Sequence, residues 1–131
     1  MRITRAVETA ILEHARAEAP RECCGLLIGT DTDILDSRRA TNLAADPLRR
    51  YLIEPHGHLQ AIRDARARGL QVVGAYHSHP RSTAVPSATD VAEGFGNFVF
   101  VIAGLSIEPP ELTAWEWTDG NFSAVPLVRF S

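Results

Sequence analysis

Residues Leu70 to His79 read Leu-Gln-Val-Val-Gly-Ala-Tyr-His-Ser-His, with the β-branched density of a buried strand, and Pro80 stops the run. The strand ends on His77-Ser78-His79, and no other feature restricts the fold as strongly. Residues i and i+2 of a strand point to one face about 6.6 Å apart, so His77 and His79 can converge on one ion while Ser78 faces away. Ser87 follows after seven residues and Asp90 three later, while Glu22 stands far upstream. The pattern His-Ser-His-x7-Ser-x-x-Asp matches by chance roughly once in 25,000 chains of this length.

Zinc lies about 2.0 to 2.1 Å from an imidazole nitrogen, a span that two convergent histidines close. Asp90, in the first turn of the next helix and only ten intervening residues away, can supply a third ligand. Three protein ligands leave a fourth position for water, which separates a catalytic zinc from a structural one, and no CxxC or further histidine is placed to close it. Water there has its pKa lowered to about 7, and a carboxylate must take its proton. Glu22, at the mouth of an apolar strand where a charge is otherwise unwelcome, is the candidate. Pro86-Ser87-x-x-Asp90 also reads as a helix start with a capping box, and the Ser87 hydroxyl, if turned to the metal, stabilises an oxyanion.

The remaining polar and aromatic residues read more plainly. His56 and His58 fall at a helix start, where i and i+2 lie about 200° apart and cannot chelate one ion, so they are expected to face solvent. His14 on the first helix is expected to do the same. Cys24 shares a strand face with Glu22 and is expected near the metal, with Cys23 toward the core. Trp115 and Trp117 share one face of a strand and read as core packing.

At 131 residues the chain is sized for one domain, residues 1–131, needing neither disulfide nor structural metal to fold. A formal charge of −3 gives no basic footprint for nucleic acid. The start interleaves charges with apolar residues, unlike a signal peptide, and the longest apolar run, Phe98 to Leu105, is too short to span a bilayer. No membrane association and a cytoplasmic location are expected. Adjacent Cys23 and Cys24 are expected to be reduced thiols, because a bridge between neighbours strains disulfide geometry. All thirteen basic side chains are arginine, so the chain offers no lysine amine.

Thr4 caps an expected helix through Ala19, with Val7, Ala10, Ile11 and Ala15 at helical spacing and Pro20 ending it. Glu22 to Thr30 and Ile34 to Thr41 form an expected hairpin around Asp31-Thr32-Asp33. Asn42 to Pro47 is loop, Arg49 to Glu54 a short strand, and Pro55 opens a helix carrying Leu59, Ala61, Ile62 and Ala65 that Gly69 ends. After the histidine strand and the loop Arg81 to Pro86, Ser87 starts a short helix. Strands follow near Asn97 to Leu105, Glu111 to Thr118 and Phe122 to Val128, the last two joined by Asp119-Gly120. The class is α/β: a mixed β-sheet packed with helices.

Glu22, Cys24-Gly25-Leu26-Leu27-x-Gly29, His77-Ser78-His79-Pro80, Pro86-Ser87 and Asp90 together resemble the JAMM (MPN-plus) metalloproteases over essentially the whole chain. The resemblance implies a cytidine-deaminase-like fold and a zinc held by His77, His79 and Asp90. It implies Glu22 as general base and acid, with Ser87 assisting the oxyanion. It further implies cleavage of a peptide or isopeptide bond after the C-terminal tail of a ubiquitin-like protein or β-grasp sulfur carrier. Short bacterial members, notably the Mec type that removes cysteine from such a carrier, are the most similar in outline. This chain has little room for the insertions with which deubiquitinating members grip two ubiquitins. The competing class is the inactive MPN scaffold, which lacks the ligands. The residues do not specify the carrier, the released group or the oligomeric state.

Overall fold

The computed structural model describes residues 1–93, 96 and 98–131. The elements run β1 (Arg2–Thr4), α1 (Arg5–Glu18), β2 (Cys24–Gly29), β3 (Asp33–Ala40), α2 (Pro55–Ala67), β4 (Gln71–His79), α3 (Ala88–Glu93), β5 (Val99–Gly104), β6 (Glu111–Thr118), β7 (Asn121–Val125) and β8 (Val128–Phe130). Eight strands form one mixed sheet in the order β7-β6-β5-β4-β2-β3-β1-β8. Strands β7 and β8 occupy opposite edges although only Pro126 and Leu127 separate them in the chain. Two residues span at most about 7 Å, so the sheet must curl until its edges approach each other.

The two long helices cover opposite faces. The Thr4 side chain accepts from the Val7 amide at 3.1 Å and starts α1, which buries Val7, Ile11, His14 and Ala15 against Leu27, Tyr76, Val101 and Ala103. The Glu54 carboxylate accepts from the amides of His56 and Gly57, Pro55 opens α2, and Ala61 packs on Leu26 and Ala75 of the other face. Gly69, at φ +73, lets the chain turn out of that helix into β4. A side chain at Gly25 would collide with the Tyr76 ring, so the close approach of β2 to that buried tyrosine requires glycine. No helix among the described residues is long and apolar enough to cross a membrane.

Several expectations are corrected. Residues 49–54 are not a strand: the Arg49 and Arg50 amides both turn back to the Asp46 carbonyl, and Ile53 makes only an isolated bridge to Asn42. The three-residue strands β1 and β8 were not legible, because neither is long enough to show a period. Pro126 ends the last expected strand early, and β8 pairs with β1 on the far edge. The expected β5 residue Asn97 lies outside the described residues. His58 is half-buried beside Phe98, whereas His56 is exposed. Trp115 and Trp117 lie half-buried on the face opposite Leu112 and Ala114, which are the β6 residues that enter the core.

His14 is buried instead of solvent-facing, and its Nδ1 lies 2.7 Å from the Tyr76 hydroxyl. Ala10, by contrast, is exposed. Burial, reinforced by the charge of Arg39 and only partly opposed by Glu18, lowers the His14 pKa below its ordinary value. Between that folded value and the unfolded value of about 6.5, the unfolded chain binds a proton that the folded chain does not. Stability is therefore complete above about pH 6.5 and is lost as pH falls below it, by up to about 1.4 kcal/mol per pH unit from this group. Urea melts across pH 5 to 7 check this. His14→Gln should show a shallower slope than wild type, and an identical slope would remove His14 from the acid response.

Candidate metal centre

The β2–β4 register brings the upstream carboxylate to the histidines. Cys24 pairs with His77, and the Ser78 amide donates to the Cys23 carbonyl at 3.2 Å, continuing the ladder by one residue. Glu22 lies two residues before β2, lines the same cleft as His79, and is close enough for its charge to act on that imidazole. Ser78 is not merely turned away. Its Oγ accepts from the Cys23 amide at 2.8 Å and clamps the end of β2 beside the histidine strand. On the outer side, Asn42 donates to the Glu22 carbonyl at 3.0 Å and to the Arg50 carbonyl, and accepts from the amides of Ala44 and Leu52. Together with the Glu22 amide bond to the Pro47 carbonyl, this fixes the backbone that presents the carboxylate.

His77 Nε2, His79 Nε2 and Asp90 Oδ2 converge. The two nitrogens are 3.2 Å apart, and the oxygen lies 3.2 Å from the first and 3.0 Å from the second. Ligand atoms on a tetrahedral zinc with bonds of about 2.0 to 2.1 Å stand about 3.3 Å from one another. Among the described residues these three form the cluster able to hold a metal, and all are buried. The second nitrogen of His79, Nδ1, lies 2.9 Å from the Thr83 carbonyl, which can only accept. Nδ1 therefore carries the hydrogen, and in the neutral ring Nε2 presents its lone pair to the cluster. A bare lone pair facing a carboxylate oxygen at 3.0 Å needs a cation between them, either a proton or a metal. The residues fit the ion.

The electrostatics follow the same logic. Burial works against the Asp90 charge, but hydrogen bonds to His77 and His79 outweigh it and hold its carboxyl well below the usual range. Burial dominates at His77 and lowers its pKa despite Asp90. At His79 burial is overcome by Asp90 and the Thr83 carbonyl, with Glu22 contributing, so its pKa is raised. Cys24 lies beside His77 in the ladder, but burial pushes its thiol up to about 12, and its Sγ lies 3.9 Å from the Ala40 carbonyl. It therefore stands as a neutral packing group. Cys23 faces the core as expected.

Ser87 caps α3. Its Oγ accepts from the Asp90 amide at 3.1 Å, while its own amide donates to Asp90 Oδ2 at 2.8 Å. The reciprocal pair fixes the Asp90 carboxylate and leaves the hydroxyl hydrogen available. Ser87→Ala should cost about 0.5 to 2 kcal/mol of stability through the lost cap. If the hydroxyl also serves an oxyanion, the barrier should rise by about 2.7 to 4 kcal/mol. A lowered melting temperature with unchanged kcat would leave only the capping role.

Two clefts flank the centre, divided by the 48–53 segment. Glu22, His79 and Ser87 line one of about 550 Å³ together with Leu48, Arg49, Arg81 and Thr83. The other, about 500 Å³, is largely apolar and is lined by Leu26, Tyr51, Ile53, Ala75, Phe98 and Phe100. The Tyr51 ring stacks on His77 at 4.4 Å between centroids and 20° between planes, joining this groove to the metal centre. Sequence reasoning missed Tyr51, Asn42 and Thr83. An asparagine between a strand end and a proline is a turn signal that could have flagged Asn42, whereas Tyr51 carries no local signal.

A curled mixed sheet with two strand histidines, an aspartate at a helix start and a glutamate just before the neighbouring strand defines a hydrolase scaffold of the JAB/MPN type. The family described as prokaryotic homologs of the JAB domain matches residues 4–118, and the chain belongs to that family. It is 36% identical over 121 residues to a desampylase of Haloferax volcanii, covering 86% of this chain and 84% of the relative. It is 30% identical over 126 residues to a CysO-cysteine peptidase of Mycobacterium tuberculosis, covering 90% and 83%. The solution structure of a Desulfitobacterium hafniense protein superposes with a TM-score of 0.88 at 26% identity, covering 98% of this chain and 92% of that one.

Proposed function

We propose that this protein is a zinc-dependent peptidase or isopeptidase that cleaves after the C-terminal tail of a small ubiquitin-like or β-grasp sulfur-carrier protein. The observation that carries the reading is the approach of three buried ligand atoms to within 3.0 to 3.2 Å of one another. The Glu22 carboxylate lines the same cleft as one of them, His79. His77, His79 and Asp90 are assigned as the ligands. A zinc ion held there would lower the pKa of a water in its open position to about 7 and polarise the scissile carbonyl.

Glu22 accepts a proton from the attacking water and returns it to the departing nitrogen as the carbon–nitrogen bond breaks, leaving a carboxylate and a free amine. The Ser87 hydroxyl donates to the carbonyl oxygen as negative charge develops on it. The apolar groove beside Tyr51 suits the carrier's tail, and the cleft beside Ser87 suits the leaving group. The names of the desampylase and the CysO-cysteine peptidase favour a carrier-tail substrate.

The test is mass spectrometry of a β-grasp carrier extended past its terminal Gly-Gly, run beside linked di-ubiquitin, with zinc content measured on the same preparation. Cleavage after Gly-Gly by protein holding about one zinc per chain, with slow or no di-ubiquitin cleavage, is expected. Rapid di-ubiquitin cleavage with an untouched carrier would overturn the substrate assignment. A metal-free preparation with full activity would overturn the zinc.

A further inference from the structure

The cleft that holds Glu22, His79 and Ser87 is also lined by two arginines, Arg49 and Arg81, one on each wall. Arg2, Arg21, Arg38, Arg68 and Arg129 are all paired with carboxylates. Among the described residues, neither Arg49 nor Arg81 has a side-chain hydrogen bond or ion pair. Among the described residues, Glu22 is the one carboxylate lining this cleft. A chain of formal charge −3 thus places two uncommitted arginines along one cleft beside the candidate metal centre.

Both walls are fastened. The Arg81 wall runs between Pro80 and Pro86. His79 holds the Thr83 carbonyl, and the Thr113 hydroxyl donates to the Ala84 carbonyl at 2.6 Å while itself accepting from the Trp115 indole. Ala84 is buried so closely on Gly104 that a side chain there would strike its backbone. The Arg49 wall is a turn on the Asp46 carbonyl, tied to Glu22 through Pro47. Rigid anchors limit the entropy lost when a long arginine side chain takes up an anion.

Resting on the hydrolase reading above, we propose that Arg49 and Arg81 form a carboxylate-binding subsite on the leaving-group side of the metal centre. The preferred leaving group is then a free α-amino acid. In such a leaving group the carboxylate is two bonds from the departing nitrogen, within the same cleft. A lysine side chain of a folded protein brings no carboxylate there. Guanidinium groups bind carboxylates by parallel charge-assisted hydrogen bonds, and because both arginines are exposed the attraction is screened by salt.

The test uses a β-grasp carrier ending in Gly-Gly and extended by one alanine, made as the free acid and as the carboxamide. The free acid should be cleaved with roughly tenfold higher kcat/KM, about the worth of one charge-assisted hydrogen bond, and the difference should lie in KM. Arg49→Gln and Arg81→Gln should each lower the acid-to-amide ratio, the double variant should bring it near one, and Arg81→Lys should restore part of it. High salt should shrink the wild-type ratio. Equal cleavage of acid and amide by the wild type, or a ratio unmoved in the double variant, overturns the subsite and leaves the hydrolase standing. Failure to cleave either form overturns the hydrolase reading and the subsite with it.

Discussion

Glu22→Gln is expected to lower turnover by about 10² to 10⁴-fold, the usual worth of a positioned general base, while zinc content stays at the wild-type level. The amide is nearly isosteric with the carboxylate, and Glu22 is only 6% exposed, so shape and packing are retained. What is lost is the ability to take a proton from water and hand it to the departing amine. Stability should change little or rise, because a buried charge is replaced by a neutral group. The measurement pairs single-turnover cleavage with metal analysis and a thermal melt on one preparation. Turnover within a few-fold of wild type would remove Glu22 from the chemistry.

The second large effect is expected at Asp90. Asp90→Ala takes away one of the three clustered atoms proposed to hold zinc, the acceptor for the Ser87 amide, and the counter-charge beside two buried imidazoles. Loss of a direct ligand should exceed the 10- to 100-fold effect typical of outer-shell substitutions, in both zinc affinity and rate. Wild-type protein should gain about 4.1 kcal/mol of stability at zinc concentrations near 1,000 times Kd, and a chelator should reverse it. The variant should show no such response. Zinc-dependent melting temperatures that match wild type would mean that the ion, if bound, sits elsewhere.

Much of this centre was legible because its parts are local. Strand periodicity aligns His77 with His79, and the serine–aspartate spacing is itself a helix start, so four of the five residues follow from short-range rules. Glu22 is different in kind. Its partners lie more than fifty residues away, and only the folded chain brings it into one cleft with His79. The shell that holds the centre was legible least. Asn42 contacts Glu22 and Arg50 through side-chain hydrogen bonds to a non-repeating backbone, and Tyr51 reaches His77 by stacking, neither of which leaves a periodic trace. His14 shows the converse failure. Its place on the buried face of α1 was readable from spacing to Ile11 and Ala15, but polarity alone suggested solvent until Tyr76 supplied a partner. At one end of the sheet, β1 and the edge strand β8 are too short to announce themselves, and β8 pairs only with β1.

The clamp between Ser78 and Cys23 makes hydrolytic competence a matter of alignment. A slip of one residue between β2 and β4 would move Glu22 to the opposite side of the sheet and break the two bonds between Ser78 and Cys23. The ion could still be captured by the contiguous segment from His77 to Asp90, yet no base would stand beside it. On the proposed reading, a chain trapped in a wrong pairing would keep the His77–Asp90 cluster but lack the base beside it. Latency is inherent in the zipper, and proteolytic danger arises only in the molecule that has closed it correctly.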